Sequence, residues 1–350
     1  VSSAKIAPLL QKTPQKWRLE HKENISPTLA RFEFTANNLS ISLDPPNVAL
    51  LGRHFKVHSQ FHFLRPNLPL FSSLIELITK LIVHNNLESV KEYLQLGDDL
   101  YSAYKKLTEG TPDRLSTIKA PTTTTMLPFV IKRYDGSDTF SSFLHSVHEG
   151  ADGFIIQGRW YVLFIFSRLL TETSFLIIGR GLELSAKSSG RHVFFVAGTG
   201  LLPILDFIFF LYRKTIYTIA KEKGGAEAAK KVNVYNEPFD LVFSTDFTVE
   251  IYGSFPSIKE CLGFELIKRL CIINSHMKNP TFKAFFKFSN GDKDFDVESL
   301  KQRVNQEFVE KILSENRPDH IYICGPPQFN QDVPEFAKNF GFSKDKIILI

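Results

Sequence analysis

Two short segments contain residue types suited to holding a dinucleotide. The first, Ala197-Gly198-Thr199-Gly200-Leu201-Leu202-Pro203, follows an apolar run that begins at His192. Two glycines permit a tight turn, and a proline is tolerated in the first turn of a helix. The pattern predicts a strand over 192–197, a turn at 198–200 and a helix over 204–211. Such a turn presents backbone N–H groups to a phosphate.

The second segment, Cys324-Gly325-Pro326-Pro327, follows the apolar run His320–Ile323. Glycine lets the backbone turn sharply after a strand, and the prolines restrict the exit from the turn. Ligands of open parallel sheets bind at the carboxyl ends of the strands. We therefore expect Cys324 to face the same cleft as Thr199.

The apolar stretch from Arg191 to Lys214 is also about as long as a membrane span. Asp206 lies past its middle, and the glycines and Pro203 fall in its first half, where they would weaken a continuous helix. We therefore predict a strand, a turn and a helix here rather than a transmembrane segment.

Composition limits the other possibilities. The chain has 350 residues, 43% of them hydrophobic, and a net charge of +5, which fits two domains with apolar cores. Its basic residues are scattered without interleaved aromatic side chains, so no nucleic-acid partner is expected. The three cysteines lack the spacing of a metal site or a disulfide framework. His145 and His148 are expected at the surface or at a helix end, and no metal site is predicted.

The first half of the chain alternates as β-strands do, with one interruption. Strands are predicted within Trp17–Ala36, with a turn at Ser26–Pro27, and at 50–63, 129–134 and 153–157. Residues 69–109 have helical spacing instead, which indicates a helical insertion. This insertion either packs against its own domain or provides a docking surface for a partner protein.

The second half alternates strands with helices. Strands are predicted at 192–197, 239–244, 281–288 and 320–323, and a surface loop is predicted at 221–236. This alternation is typical of a parallel sheet with helices on its faces.

The glycine turn and the Cys-Gly-Pro-Pro segment, in this order, resemble the ferredoxin-NADP reductase superfamily and, within it, cytochrome b5 reductase. The resemblance extends from Trp17 to Leu349 apart from the insertion. It implies a β-barrel FAD-binding domain followed by a doubly wound α/β nucleotide-binding domain. The implied organisation is a lead-in at 1–16, the barrel domain at 17–190 with the helical insertion at 66–112, and the NAD(P)-binding domain at 191–350.

The resemblance also assigns the nicotinamide site. Thr199 and Cys324 would line the nicotinamide pocket and orient hydride transfer. The surrounding backbone would be formed by Gly198, Gly200, Pro203, Gly325 and Pro326. The first glycine of the family motif is Ala197 here.

The family's flavin motif, Arg-x-Tyr-Ser/Thr, matches Arg114-Leu115-Ser116-Thr117 less well, since its tyrosine is replaced by serine. By resemblance, Arg114 would pair with the FAD pyrophosphate and Thr117 would lie beside the isoalloxazine. Ser141, ahead of a short helix, would bind a phosphate. The family's Gly-Pro-x-Gly turn is reduced to Gly158-Arg159-Trp160.

Selection between the two nicotinamide nucleotides is expected after the second strand of the α/β domain. Asp246 follows the predicted strand 239–244. A carboxylate accepts a hydrogen bond from a ribose 2′-OH and repels a 2′-phosphate, so NADH is preferred over NADPH.

These features leave two functional hypotheses. The first is an FAD-dependent NAD(P)H oxidoreductase that passes hydride from NADH to flavin and electrons to a haem or iron–sulfur protein. The second is a reductase-like structural or docking subunit of a larger assembly, with little or no activity, docked through 69–109. The altered flavin motif and the insertion favour the second. A first residue other than Met suggests a removed presequence and a mitochondrial location, the alternative being cytoplasmic.

Overall fold

The computed structural model describes residues 18–35, 41–42, 50–51, 53–59, 81–85, 91–119, 121, 123–124, 126–133, 140–151, 154–158, 184–185, 189–236, 239, 243–294, 296–300, 304–315 and 317–350. The chain divides into two compact units. The first unit comprises Val1–Pro46, Gly52–Val90 and Thr122–Leu184, and the second comprises Asn47–Leu51, Lys91–Pro121 and Ser185–Ile350.

The strands, in chain order, are β1 (Arg18–Ser26), β2 (Leu29–Thr35), β3 (Ile41–Ser42), β4 (Leu50–Leu51), β5 (Arg53–Ser59), β6 (Leu81–Asn85), β7 (Thr123–Thr124), β8 (Leu127–Lys132), β9 (Phe154–Gly158), β10 (Leu184–Ser185), β11 (Arg191–Ala197), β12 (Thr248–Phe255), β13 (Phe282–Phe288), β14 (Glu298–Ser299), β15 (His320–Cys324) and β16 (Ile347–Leu349). The α-helices are α1 (Lys91–Thr108), α2 (Phe140–Ser146), α3 (Leu205–Val232), α4 (Phe264–Ser275), α5 (Gln306–Glu315) and α6 (Pro327–Asn339). Short 3₁₀ turns lie at Pro112–Arg114, Gly198–Ile204 and Lys344–Lys346.

The first unit is built from antiparallel sheets. β2 pairs with β1 on one side and with β8 on the other, and β5 pairs with β6 and β9. Alternate side chains of β2, such as Phe32 and Phe34, are buried; Phe34 packs edge-on with Phe129 of β8, and Phe32 packs with His145 of α2. The predicted strand pair, with its turn between Ser26 and Leu29, is confirmed.

Part of the predicted helical insertion is a strand. Leu81 and Ile82 fall within 69–109, where helical spacing was expected, but they lie in β6, which pairs antiparallel with β5. The sequence Leu81-Ile82-Val83 is rich in β-branched side chains, and pairing with a neighbouring strand outweighs the helical spacing. The first part of that region, at 69–80, lies outside the described residues.

The second unit contains a parallel six-stranded sheet in the order β14-β13-β12-β11-β15-β16. Adjacent residues of β11 face opposite helix layers, because side chains alternate along a strand. Phe194 packs against Phe207 of α3, whereas Phe195 belongs to a core cluster with Phe308 of α5 and Val333 of α6. Helices therefore cover both faces, as the predicted doubly wound class requires.

Helix α1 is part of the second unit. Its apolar face, which includes Leu96, Leu100 and Leu107, is buried because α1 packs on α3 and α4. The predicted boundary placed this segment in the barrel domain, and the last part of the region with helical spacing, 69–109, is one helix of 18 residues. The insertion was expected either to pack against its own barrel domain or to dock a partner, and α1 instead packs on helices of the second unit.

Helix α3 is longer than the sequence suggested. The predicted loop at 221–236 is wrong over 221–232, which continues the helix to Val232. Gly225 has φ 71° and interrupts the regular geometry, but the helix resumes beyond it. Alanines favour helix, and the buried side chains of Ala228, Ala229 and Val232 hold this last part against the unit.

The strand that follows α3 is β12, at Thr248–Phe255. It pairs in parallel with β11, beginning at Thr248 opposite Arg191. The predicted strand at 239–244 lies largely outside the described residues, and β12 was not predicted. The strands predicted at 129–134, 153–157, 281–288 and 320–323 are confirmed with shifts of one or two residues at their ends.

Candidate functional site

The carboxyl ends of β11 and β15 form the candidate site. The chain leaves β11 toward β12 on one side, whereas β15 and β16 lie on the other side, so the strand order reverses between β11 and β15. Open α/β sheets bind ligands in the crevice at such a reversal. The two predicted motifs follow these two strands, at Gly198–Ile204 and at Cys324–Pro327.

The two motifs touch through their backbones. A Cβ atom placed on Gly200 would overlap the carbonyl group of Cys324 and would lie 2.8 Å from the amide nitrogen of Gly325. Real Cβ atoms do not approach backbone so closely, so only glycine fits at position 200. The structure thus brings the glycine turn and the Cys-Gly-Pro-Pro segment together, as the sequence predicted.

Gly198 has a different requirement. Its φ of +54° lies in the left-handed region, and a Cβ atom built on it would meet nothing within 4 Å. The backbone is therefore bare on that side, where a ligand can approach it closely. Thr199 beside it is half-buried.

Gly325 is held from two sides. A Cβ atom here would lie 2.7 Å from the ring of Phe329 and 3.2 Å from the Cβ of Ala197. The methyl group of Ala197, at the position of a family glycine, therefore lies against the second motif. Ala197 has φ −145° and ψ 138°, an extended conformation that does not require glycine.

Cys324 has the character of a neutral, buried thiol. Its residue surface is 5% exposed, and burial raises the pKa of the thiol to about 12. A thiol with this pKa stays protonated at neutral pH and is a poor nucleophile. Cys324 can therefore shape and orient a bound group, but it is not suited to covalent catalysis.

The two prolines of the predicted site fix the start of the helices. Pro203 is buried within the 3₁₀ turn that leads into α3, and Pro326 precedes α6 with φ −57° and ψ 158°. Proline fits near a helix start because its missing N–H is not needed there. Both residues thus set the directions in which α3 and α6 leave the crevice.

Arg114 and Thr117 lie elsewhere in the second unit. The amide of Ile118 donates to the carbonyl of Lys231 at the end of α3 (3.1 Å), and Pro112 lies against Gly224. With a rise of 1.5 Å per residue, Gly224 is about 30 Å along α3 from the nucleotide turn. Hydride transfer requires reacting atoms about 3–3.5 Å apart. The position of Arg114 and Thr117 therefore does not fit the flavin-binding roles expected of them if Thr199 and Cys324 line a nicotinamide pocket.

Ser141 belongs to the first unit. It lies in the first turn of α2 with 2% of its surface exposed. Lys22 holds the other end of this helix, since its Nζ donates to the carbonyls of His145 and Val147. The structure thus places Ser141 at a helix start, as predicted, but in a different compact unit from Arg114 and Thr117.

Asp246 requires a correction. It precedes β12 and lies at the amino edge of the sheet, where Ser244 donates to its carboxylate and lowers its pKa. A selector of the ribose group is expected at the carboxyl end of that strand. The residues at that end run from Phe255 to Glu260 and include the exposed Lys259. Sequence reasoning missed them because it missed β12, although the alternation in Thr248–Tyr252 indicates a strand.

The described residues were also searched for membrane-spanning helices and for groups of side chains that could bind a metal ion. Among the described helices, none combines the length and the apolar character that crossing a bilayer requires. No group of His, Cys, Asp or Glu side chains in the described part of the chain could hold a metal ion. Nε2 of His145 donates to the carbonyl oxygen of Ile131 (3.0 Å), and burial lowers the pKa of His145.

No protein-family model matches the chain, and no curated protein matches it by sequence. Solved structures resemble it at low identity. The flavohemoglobin from Malassezia yamatoensis, with bound FAD and haem, has 15% identity and a TM-score of 0.47, over 96% of this chain and 59% of the flavohemoglobin. The cytochrome b5 reductase domain of Ulva prolifera nitrate reductase has 13% identity and a TM-score of 0.49, over 98% and 100% of the two chains.

The ferredoxin-NADP⁺ reductase from Plasmodium falciparum, with 2′P-AMP, has 14% identity and a TM-score of 0.48, over 98% and 99% of the two chains. This chain thus spans less than two thirds of the flavohemoglobin but nearly all of the other two proteins. Its own sheets, antiparallel in the first unit and parallel with helices on both faces in the second, have the arrangement implied by the predicted resemblance to the ferredoxin-NADP reductase superfamily.

Proposed function

We propose that the chain is an NAD(P)H-dependent oxidoreductase of the flavin-reductase type, which takes hydride from a nicotinamide nucleotide and supplies electrons to a haem or iron–sulfur protein. The observation that carries this proposal is the contact of Gly200 with the peptide between Cys324 and Gly325 at the reversal of strand order. A contact that only glycine permits joins two motifs that are 124 residues apart in the sequence.

The residues of the crevice fit a nicotinamide nucleotide. The bare backbone at Gly198 allows a phosphate or ribose to approach, and the turn offers N–H donors at the start of a helical segment. The neutral thiol of Cys324 adds polarizable, uncharged surface, which suits an aromatic ring. Thr199 supplies a hydroxyl that can hydrogen-bond to an amide.

The residues assigned to FAD fit less well. Arg114 and Thr117 are exposed and lie about 30 Å along α3 from this crevice, so they are not proposed as flavin ligands. Ser141, in the other unit, stays a candidate for binding a phosphate. When bound, FAD would supply the conversion of hydride into single electrons.

An absorption spectrum of the purified chain tests the proposal. FAD is added, excess FAD is removed, and spectra are recorded anaerobically before and after NADH or NADPH. Retained flavin absorption that bleaches with either nucleotide is the expected result. Nucleotide binding is measured separately by quenching of NADH or NADPH fluorescence. If neither nucleotide binds, the proposal that the crevice holds a nicotinamide nucleotide is wrong.

The second candidate is a reductase-like docking subunit of a larger assembly with little or no activity. The observation that favours it is the position of Arg114 and Thr117 at the far end of α3, where they cannot serve the crevice. Its expected signature is nucleotide binding without flavin retention. A mitochondrial location belongs to this hypothesis, and fractionation of cells that express the protein tests it.

Choice between NADH and NADPH is proposed to depend on the carboxyl end of β12. With Asp246 at the opposite edge of the sheet, the argument for NADH no longer holds. Lys259 follows β12 and is exposed, and an ammonium group attracts a 2′-phosphate. Asp292, which accepts a hydrogen bond from the amide of Ile258, partly offsets this charge.

A further inference from the structure

The far end of α3 carries a cluster of basic side chains. Three chain segments meet there: the last turn of α1, the stretch that follows the 3₁₀ turn, and the last turns of α3. We call this surface the basic end. It consists of Lys105, Lys106, Arg114, Lys119, Lys223, Lys230 and Lys231.

Specific contacts assemble the basic end. Pro112 lies against Gly224, where a Cβ atom would come within 3.0 Å of the proline Cβ. The amide of Ile118 donates to the carbonyl of Lys231 (3.1 Å), and Nζ of Lys106 donates to the carbonyl of Arg114 (3.4 Å). The charges therefore share one surface because the fold places them there, although they are more than 100 residues apart in the sequence.

The two chain segments that form this region have a net positive charge. Residues 105–119 and 221–231 together contain eight basic and four acidic residues, a net charge of +4. None of the seven side chains of the basic end forms an ion pair with another residue in the described part of the chain. Lysines at the ends of α1 and α3 also complement the helix dipoles. That effect does not account for Arg114 and Lys119, which lie outside both helices.

We propose that the basic end is a docking surface for an acidic protein. The side chains that belong to it are polar, and the large apolar residues exposed in the described part of the chain lie elsewhere, at Leu94, Met126, Phe340 and Leu349. A helix that lies in a membrane surface inserts large apolar side chains into the lipid, and none of the exposed ones just named lies on the basic end. Residues 105–119 and 221–231 contain no aromatic side chain on which a nucleic-acid base could stack, whereas a basic surface complements an acidic protein surface.

This surface is separate from the nucleotide crevice. It lies at the end of α3, and the crevice lies at its beginning, about 30 Å away along the helix. A partner docked there leaves the crevice accessible. The inference is independent of the proposed function, since it does not require that the chain bind FAD or a nucleotide.

Charge reversal of the full chain tests the proposal, with poly-L-glutamate as the acidic polypeptide. The test variant combines Lys119→Glu, Lys223→Glu and Lys230→Glu. The control combines Lys278→Glu, Lys283→Glu and Lys344→Glu, which are exposed lysines on other elements and give the same change in net charge. Affinity is measured by titration calorimetry at 50 and 150 mM salt. We expect the test variant to lose at least tenfold in affinity and the control to stay within twofold of the wild type.

Two results would overturn the proposal. Equal losses in the test and control variants would show that binding follows total charge rather than this surface. Tighter binding of duplex DNA or of phosphatidylserine vesicles, lost in the same test variant, would assign the surface to nucleic acid or lipid. Thermal melts accompany each titration, and if the glutamate substitutions unfold the chain, the same three positions are changed to Gln and compared with a matched Gln control.

Discussion

Gly200 lies directly on the peptide bond between Cys324 and Gly325, so that a side chain at position 200 would overlap the carbonyl group of Cys324. The contact joins the turn after β11 to the turn after β15. Because the neighbouring atoms are backbone, they cannot move aside as the end of a flexible side chain would.

The substitution Gly200→Ala tests this contact. We expect a loss of about 1–3 kcal/mol in the free energy of unfolding, as for other overpacked sites. Affinity for NADH or NADPH should fall at least tenfold, because the two turns must separate. Gly97→Ala is the control, since Gly97, like Gly200, has no positive φ, and its added Cβ would meet only the ring of Phe209, at an ordinary contact distance of 3.9 Å. Unfolding in urea and quenching of nucleotide fluorescence measure the two effects, and equal results for both variants would contradict the assignment.

The buried thiols predict a pH dependence. Burial raises the pKa of Cys324 and of Cys271 to about 12, from an ordinary value near 9. Between these values the unfolded chain releases the proton while the folded chain retains it. The free energy of unfolding must therefore fall as pH rises above about 9, by up to about 1.4 kcal/mol per pH unit for each thiol.

Cys324→Ala isolates one of these thiols. Its free energy of unfolding should fall less steeply between pH 8.5 and 10 than that of the wild type, as measured by urea titrations at each pH. Iodoacetamide should label the native wild-type thiols slowly at pH 7.5 and the urea-unfolded thiols rapidly. Fast labelling of Cys324 in the native protein, located by mass spectrometry, would show that it is not the neutral buried thiol described here.

Nucleotide preference should depend on Lys259 and not on Asp246. Asp246 lies before β12, at the amino edge of the sheet, whereas Lys259 follows the carboxyl end of the same strand. We expect Lys259→Ala to weaken NADPH binding several-fold relative to NADH, since an attraction to the 2′-phosphate is lost. Asp246→Asn should change the ratio of the two affinities by less than twofold. A larger change with Asp246→Asn would restore the role that the sequence assigned to it.

Short motifs with strong local requirements were predictable from the sequence. Gly198 has a positive φ that favours glycine, and the glycines at 198, 200 and 325 follow apolar runs, so these short patterns indicated the turns and the strands before them. The β1–β2 pair was also predictable, because one face of β2 is buried and its pattern alternates.

Positions that depend on long-range packing were not predictable in this way. Arg114 and Thr117 have the residue types of a flavin motif, but the contacts of Pro112 with Gly224 and of Ile118 with Lys231 place them at the end of α3. Nothing local to 114–117 encodes those contacts. The assignment of Asp246 failed for a related reason, since it depended on the limits of a strand whose true position is set by pairing with β11.

Apolar burial rather than ion pairing should hold α1 on the second unit. Leu100 is fully buried, whereas Asp98, which pairs with Arg269 at 2.7 Å, has a half-exposed side chain. We expect Leu100→Ala to cost about 2–4 kcal/mol in the free energy of unfolding. Asp98→Ala should cost less than about 1 kcal/mol, as is usual for exposed ion pairs. Urea unfolding of both variants measures the two costs. A larger loss of stability in Asp98→Ala than in Leu100→Ala would show that the ion pair, and not apolar burial, holds α1 in place.

The contact between Gly224 and Pro112 offers a direct test of where the Arg114 segment lies. A Cβ atom at Gly224 would come within 2.5 Å of the Cβ of Ala228 and 3.0 Å of that of Pro112. Gly224→Ala should therefore displace the segment and break the hydrogen bond from the Ile118 amide to Lys231. Gly225→Ala is the neighbouring control, because a Cβ there meets no atom within 4 Å, although its φ of +71° carries its own cost.

Hydrogen exchange followed by NMR measures the protection of the Ile118 amide in each variant. We expect at least a tenfold loss of protection in Gly224→Ala and a smaller loss in Gly225→Ala. The amides of β11 serve as an internal reference, since they lie in the sheet and should keep their protection in both proteins. Unchanged protection of Ile118 in Gly224→Ala would mean that the segment is not held at the end of α3, and Arg114 and Thr117 would again be candidates for binding FAD.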